Sequence, residues 1–122
     1  MRKSCIDCVE KHLGSAAVYV EETQMGYPDY RGFAIGELQH AASESLDANP
    51  SLAWAIREHR ILWQRDAAHK IPFEAMFSYL GTWRMVDALG KGEKPPEVPE
   101  EVFNGIPEGP DGSPQMSMDT RP

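Results

Sequence analysis

Cysteine is scarce in this chain. It has only Cys5 and Cys8, with no third cysteine to pair with either, so a disulfide framework is not the natural reading. Basic residues are also few. Lys and Arg total 12 against 19 Asp and Glu, a net charge of −7, and no dense basic run is present to displace counterions from a phosphate backbone. Nucleic acid and anionic membrane surfaces are therefore not expected partners. Long apolar runs are missing too: nothing approaches the roughly 18 residues that span a bilayer. The opening MRKSCIDC has no apolar stretch of about 7 to 15 residues behind its two basic residues, so no secretory signal is read. The expectation is one domain in a reducing, cytoplasmic setting. There a close cysteine pair holds metal or does redox work more often than it forms a structural bridge.

What the chain does have is unevenly placed. Seven of its ten prolines lie beyond residue 94, in KPPEVPEEVFNGIPEGPDGSPQMSMDTRP. Proline removes backbone donors and fixes φ, so this part is read as an extended, acidic, Pro/Gly-rich tail, residues 91–122, following a helical domain, residues 1–90. Val98, Val102, Phe103 and Ile106 stand out from its polar background as the contacts of an arm that docks on a partner or on its own body, with an unstructured solubilising tail as the plain alternative. The entropy of ordering some 29 residues against so few apolar contacts favours a partner, further copies of the chain included.

Punctuation divides the first 90 residues into four helices. Gly26 followed by Pro28 ends a first helix of about residues 6 to 25, and Asp29 is placed to start a second that runs to about residue 47. Asn49 and Pro50 supply a cap and a first-turn proline for a third, extending to about residue 69. After Pro72 a fourth runs through FEAMFSYLGTWRMVDAL to Gly90. Apolar stripes recur at helical spacing: Val9, Leu13, Ala16, Ala17 and Val20; then Leu52, Ile56 and Trp63; then Phe73, Met76, Phe77 and Leu80. No strand-like alternation occurs. The fold class is thus all-α, a small antiparallel bundle of about four helices with a core modest enough for a metal clip to matter.

In CIDCVEKHLG the residues Cys5, Cys8 and His12 share one side of the first helix. Cys8 and His12 are an i, i+4 pair, and Cys5 reaches the same point if it sits on the turn before the helix. Thiolate and imidazole are the ligands zinc prefers, and a structural site wants four. The second helix carries Glu37, His40 and Glu44 on one stripe, and antiparallel pairing brings that stripe to the first helix. His40 is the best chemical choice for the fourth ligand, Glu44 and Glu37 are rivals, and a solvated face is the plain alternative. The expected cofactor is one structural zinc per chain, held by Cys5, Cys8, His12 and His40.

Other chemistries use the same residues. CIDC at a helix N-terminus suits a redox dithiol, although the βαβ surroundings of the thioredoxin motif are missing. Glu37-Leu-Gln-His40 and Asp66-Ala-Ala-His69 have the carboxylate-x-x-His spacing of a dinuclear iron bundle, but no bridging carboxylates are evident. A hydrolytic zinc enzyme needs an open coordination position and a base such as Glu37 or Glu44, and nothing marks a substrate pocket. His59, on the apolar face with Ile56 and Trp63, is read as a core histidine satisfied by a carboxylate such as Asp66. Trp54, Ile61 and Arg65 form a second stripe suited to central placement or self-association.

Cys5, Cys8, Lys11, His12 and Leu13, followed by Gly26, Tyr27, Pro28, Arg31, Ala34, Ile35, Gly36, Glu37 and Leu38, form a CxxCxxKHL…GYPxxRxxAIGEL pattern. Over about the first 45 residues it resembles a group of small proteins encoded by bacteriophages and prophages. The resemblance implies a metal-bound helical hairpin of phage origin and brings no catalytic residue with it. The combined expectation is a non-enzymatic, zinc-stabilised helical module that docks into a larger assembly, such as a virion, through protein partners or its own copies. A small metalloenzyme or CxxC redox protein is the alternative.

Overall fold

A computed structural model describes residues 5–90 and 94–107. It is all-helical: α1 (Ile6–Gln24), α2 (Tyr30–Ser45), α3 (Pro50–Arg65) and α4 (Phe73–Ala88), followed by a short 3-10 turn, Glu100–Phe103. Helix α1 starts where it does because Cys5 is extended, at φ −96° and ψ 100°, and its sulfur accepts from the Cys8 N–H at 3.1 Å. It ends in a Schellman turn. Gly26, at φ 106°, donates to Thr23 O while Tyr27 N–H reaches back to Glu22 O at 3.1 Å, a left-handed position that glycine fills without strain.

The remaining boundaries follow local chemistry. Asp29 precedes α2 without making a side-chain cap bond, whereas Asn49 Oδ1 accepts from Leu52 N–H at 3.1 Å and caps α3. Helix α3 stops at Arg65, short of the expected residue 69. There the Asp66 carboxylate takes the Ala68 N–H at 3.0 Å, an Asx turn that competes with the helical hydrogen bond. In α4 the buried residues are Met76, Tyr79, Leu80 and Trp83, while Phe73 and Phe77 are only partly covered. The inner face is therefore rotated from the expected one.

Helix α1 packs on both α2 and α4, and α2 packs in turn on α3. Side-chain pairs fix the antiparallel senses: Tyr19 meets Tyr30 and Phe33 across α1 and α2, and Arg84 of α4 holds Asp7 and Glu10 of α1 at 2.8 and 2.7 Å. The order across the array is α4, α1, α2, α3, which leaves the two outer helices without close backbone contact. The gap between them is filled by residues 94–107. Val98 and Val102 are buried in the same core cluster as Leu52, Ile56, Met76 and Leu80, with Phe103 and Ile106 packed against it.

Of the two docking places read for this arm, the strap 94–107 takes the one on its own body, in the groove between α3 and α4. Each buried valine contributes about 1.5 to 3 kcal/mol, and polar clasps add to this. Trp54, on the second stripe of α3, is covered by Phe103 at 6.1 Å between ring centres, so that stripe is partly an intramolecular contact. The rest of the expected tail, residues 108–122, lies outside the described residues, as do residues 91–93.

Candidate metal centre

At the open end of the α1–α2 hairpin the residues singled out as ligands fall into two sets, Cys5 with Cys8 and His12 with His40. Cys5 is the N-cap of α1 and Cys8 lies in its first turn, with Cα atoms 5.1 Å apart and the two sulfurs joined as a disulfide. One turn further on, His12 Nδ1 lies 2.7 Å from Glu37 Oε1 of α2, with both side chains about one quarter exposed. His40, one turn beyond Glu37, stacks its ring on that of His12 with centroids 5.1 Å apart and planes 30° apart. Glu44 is half-buried on the same helix and makes no hydrogen bond among the described residues.

The disulfide was not the expected bridge. It ties no two elements together, since it closes a loop within one turn of the α1 start, and it converts two prospective thiolate ligands into sulfurs without charge. In that oxidised form the described residues contain no group of three or more His, Cys, Asp or Glu side chains arranged to hold a metal ion. Reduced, the donor set fits zinc in chemistry: two thiolates, and an imidazole whose tautomer is already selected. An ionised Glu37 can only accept, so His12 Nδ1 carries the proton and Nε2 keeps its lone pair. A carboxylate behind a histidine in this way is the usual outer partner of a metal-bound imidazole. Glu37, read as a rival ligand or base, is thus engaged as an orienting group.

The second carboxylate-x-x-His pair is placed elsewhere. Asp66 and His69 lie in the turn after α3, and His69 Nε2 is 2.8 Å from His59 Nδ1, with the rings stacked at 5.1 Å. The two motifs do not share a site, and the dinuclear iron arrangement is not built. His59 is a core histidine, fully buried, but its partners are His69 and the Val102 carbonyl, 2.8 Å from Nε2, in place of the expected Asp66. Burial pushes its pKa down to about 4, against a raising contribution from the Val102 hydrogen bond. Burial also lowers His69, with Asp66 opposing.

Two features were missed. Tyr19, Tyr27, Tyr30 and Phe33 form a contiguous aromatic shelf around the α1–α2 turn, on which Tyr27 and Phe33 remain 55% and 57% exposed. The run YPDYRGF, with three aromatics in seven residues, was the available signal. Beside it, the Arg31 guanidinium lies 4.8 Å above the Trp63 ring and donates to the Trp63 and Gln64 carbonyls, anchoring α2 on α3. No protein-family model, curated protein or solved structure matches the chain.

Proposed function

We propose that the protein is a structural, non-catalytic helical module in which one zinc ion per chain, held by Cys5, Cys8, His12 and His40, clips the start of α1 to α2. The clipped bundle docks into a larger protein assembly, and a phage particle is the assembly that the pattern of the first 45 residues suggests. The observation carrying this reading is the 2.7 Å contact from His12 to Glu37 with His40 stacked alongside, one helical turn from a paired CxxC. When bound, the ion supplies a tetrahedral cross-link between two helices. The chain's own residues do the rest: Cys5 bends out of the helix to meet Cys8, Glu37 fixes the His12 tautomer, and α2 presents His40. Support for docking comes from the aromatic shelf, too exposed to serve the core and suited to protein partners or further copies of the chain. Residues 108–122 are a second candidate contact.

The closed Cys5–Cys8 pair favours a second reading, a redox dithiol at a helix N-terminus, where the helix dipole stabilises the thiolate. One experiment separates the two. Protein purified under reductant should contain one zinc per chain and lose helicity and melting temperature on chelation. A reduced protein that is metal-free and equally stable with chelator overturns the clip, and ready thiol exchange of its CxxC would then establish the dithiol.

A further inference from the structure

We propose that His59 and His69 form a proton-operated latch on the 94–107 strap, closed while the pair holds at most one added proton and released when it takes up a second. The Val102 carbonyl only accepts, so His59 Nε2 must donate to it across 2.8 Å. His59 Nδ1 then bears a lone pair, and His69 Nε2 must donate to it across 2.8 Å. A first proton is accommodated by the pair: with the charge on His69 its Nε2 still donates to His59, and with the charge on His59 its Nδ1 donates to His69, so both hydrogen bonds persist. A second is not, since it would set two N–H groups of two cations face to face at that distance. Its uptake parts the rings and takes the buried one from its site under the strap.

The strap is built against both rings. Besides the Val102 bond, Gly105 lies so close to His69 that a Cβ there would sit 2.8 Å from Cε1, and Gly105 has φ 90°, so position 105 is closed to side chains by space and by backbone. The charged side chains on the surrounding elements are Arg57, Glu58, Arg60 and Arg65 of α3, Asp66 and Lys70 of the α3–α4 turn, Glu74, Arg84 and Asp87 of α4, and Lys94, Glu97, Glu100 and Glu101 of the strap. Of these, Asp66 is the one whose field acts on the pair, raising His69 and so favouring the tolerated first proton. A second clasp does not titrate in the acid range: Asn49 Nδ2 donates to the Tyr79 hydroxyl at 2.7 Å, which donates to Pro96 O. The latch therefore frees the Val102 end of the strap first.

Amide hydrogen exchange on the oxidised full-length chain tests this. Corrected for intrinsic rates, protection of the Val102 and Ile106 amides should fall on the order of 100-fold between pH 7 and pH 4, while Leu13 and Leu38 stay the more protected at every pH. His59→Gln, whose carboxamide donates to Val102 O and accepts from His69, should hold the strap across that range. Unchanged wild-type protection, one common protection for all four amides, or His59→Gln opening over the same pH range would each overturn the latch. Should the variant not fold, the wild-type ring C2–H titrations decide. Strap opening that follows the second protonation step of the His59–His69 pair supports the latch, and opening at a different pH refutes it.

Discussion

Two histidine pairs in this molecule have nearly the same ring geometry. His12 and His40 stack at 5.1 Å and 30°; His59 and His69 stack at 5.1 Å and 27°. Their chemical prospects differ because their nitrogens are spent differently. In the inner pair both His59 nitrogens are committed, one to His69 and one to Val102 O, and burial holds the imidazole neutral. In the outer pair a single nitrogen is committed, to Glu37, and His40 is exposed. Ring proximity does not make a ligand site. What distinguishes the outer pair is that lone pairs remain uncommitted beside two sulfurs.

The sharpest way to break the inner pair is to remove its carbonyl. Deleting residues 94–122 takes away Val98 and Val102 with the clasp, and the bundle should lose at least about 3 to 6 kcal/mol from the valines alone, read by urea unfolding; a bundle of unchanged stability would return the strap to the status of an appendage. Acid is the next largest perturbation. Folded His59 titrates at about 4 and the unfolded residue near 6.5, so the unfolded chain binds more protons below 6.5. Stability should be complete above that pH, fall by about 3 kcal/mol as pH drops toward 4, and gain no further loss from this group below it. Denaturation at fixed pH steps measures the slope, and His59→Gln should flatten it.

For the outer pair, Glu37→Gln should weaken zinc binding by the reduced protein by about 10- to 100-fold while leaving the helical spectrum intact, as competition with a chromophoric chelator would show. The smallest effect should come from Tyr79→Phe, which removes one hydroxyl from the second strap clasp and should cost about 1 to 2 kcal/mol without altering the acid profile of His59.

Local signals were read well where a residue answers to its neighbours in sequence. The Asn49–Pro50 cap, the Gly26 stop, the turn conformation of Cys5 and the approach of the α2 stripe to His12 all follow from spacing and backbone preference. The misreadings share a cause. A carboxylate such as Asp66 is the expected partner of His59, but that carboxylate ends the helix by bonding to Ala68, and His69 takes its place. Val98 and Val102 were recognised as anchors, yet their groove is made by two helices that hardly meet. No periodicity along a chain records a gap between non-adjacent helices.

That gap also has a consequence for how the protein is made. The strap follows all four helices in chain order, and His59 waits 43 residues for the carbonyl that satisfies it. During synthesis, with N-terminal parts folding first, the apolar seam around Met76 and Leu80 stays uncovered until the strap has been released from the ribosome. A chain that stopped before residue 94 would lack Val98 and Val102 over that seam and would leave Met76 and Leu80 less covered.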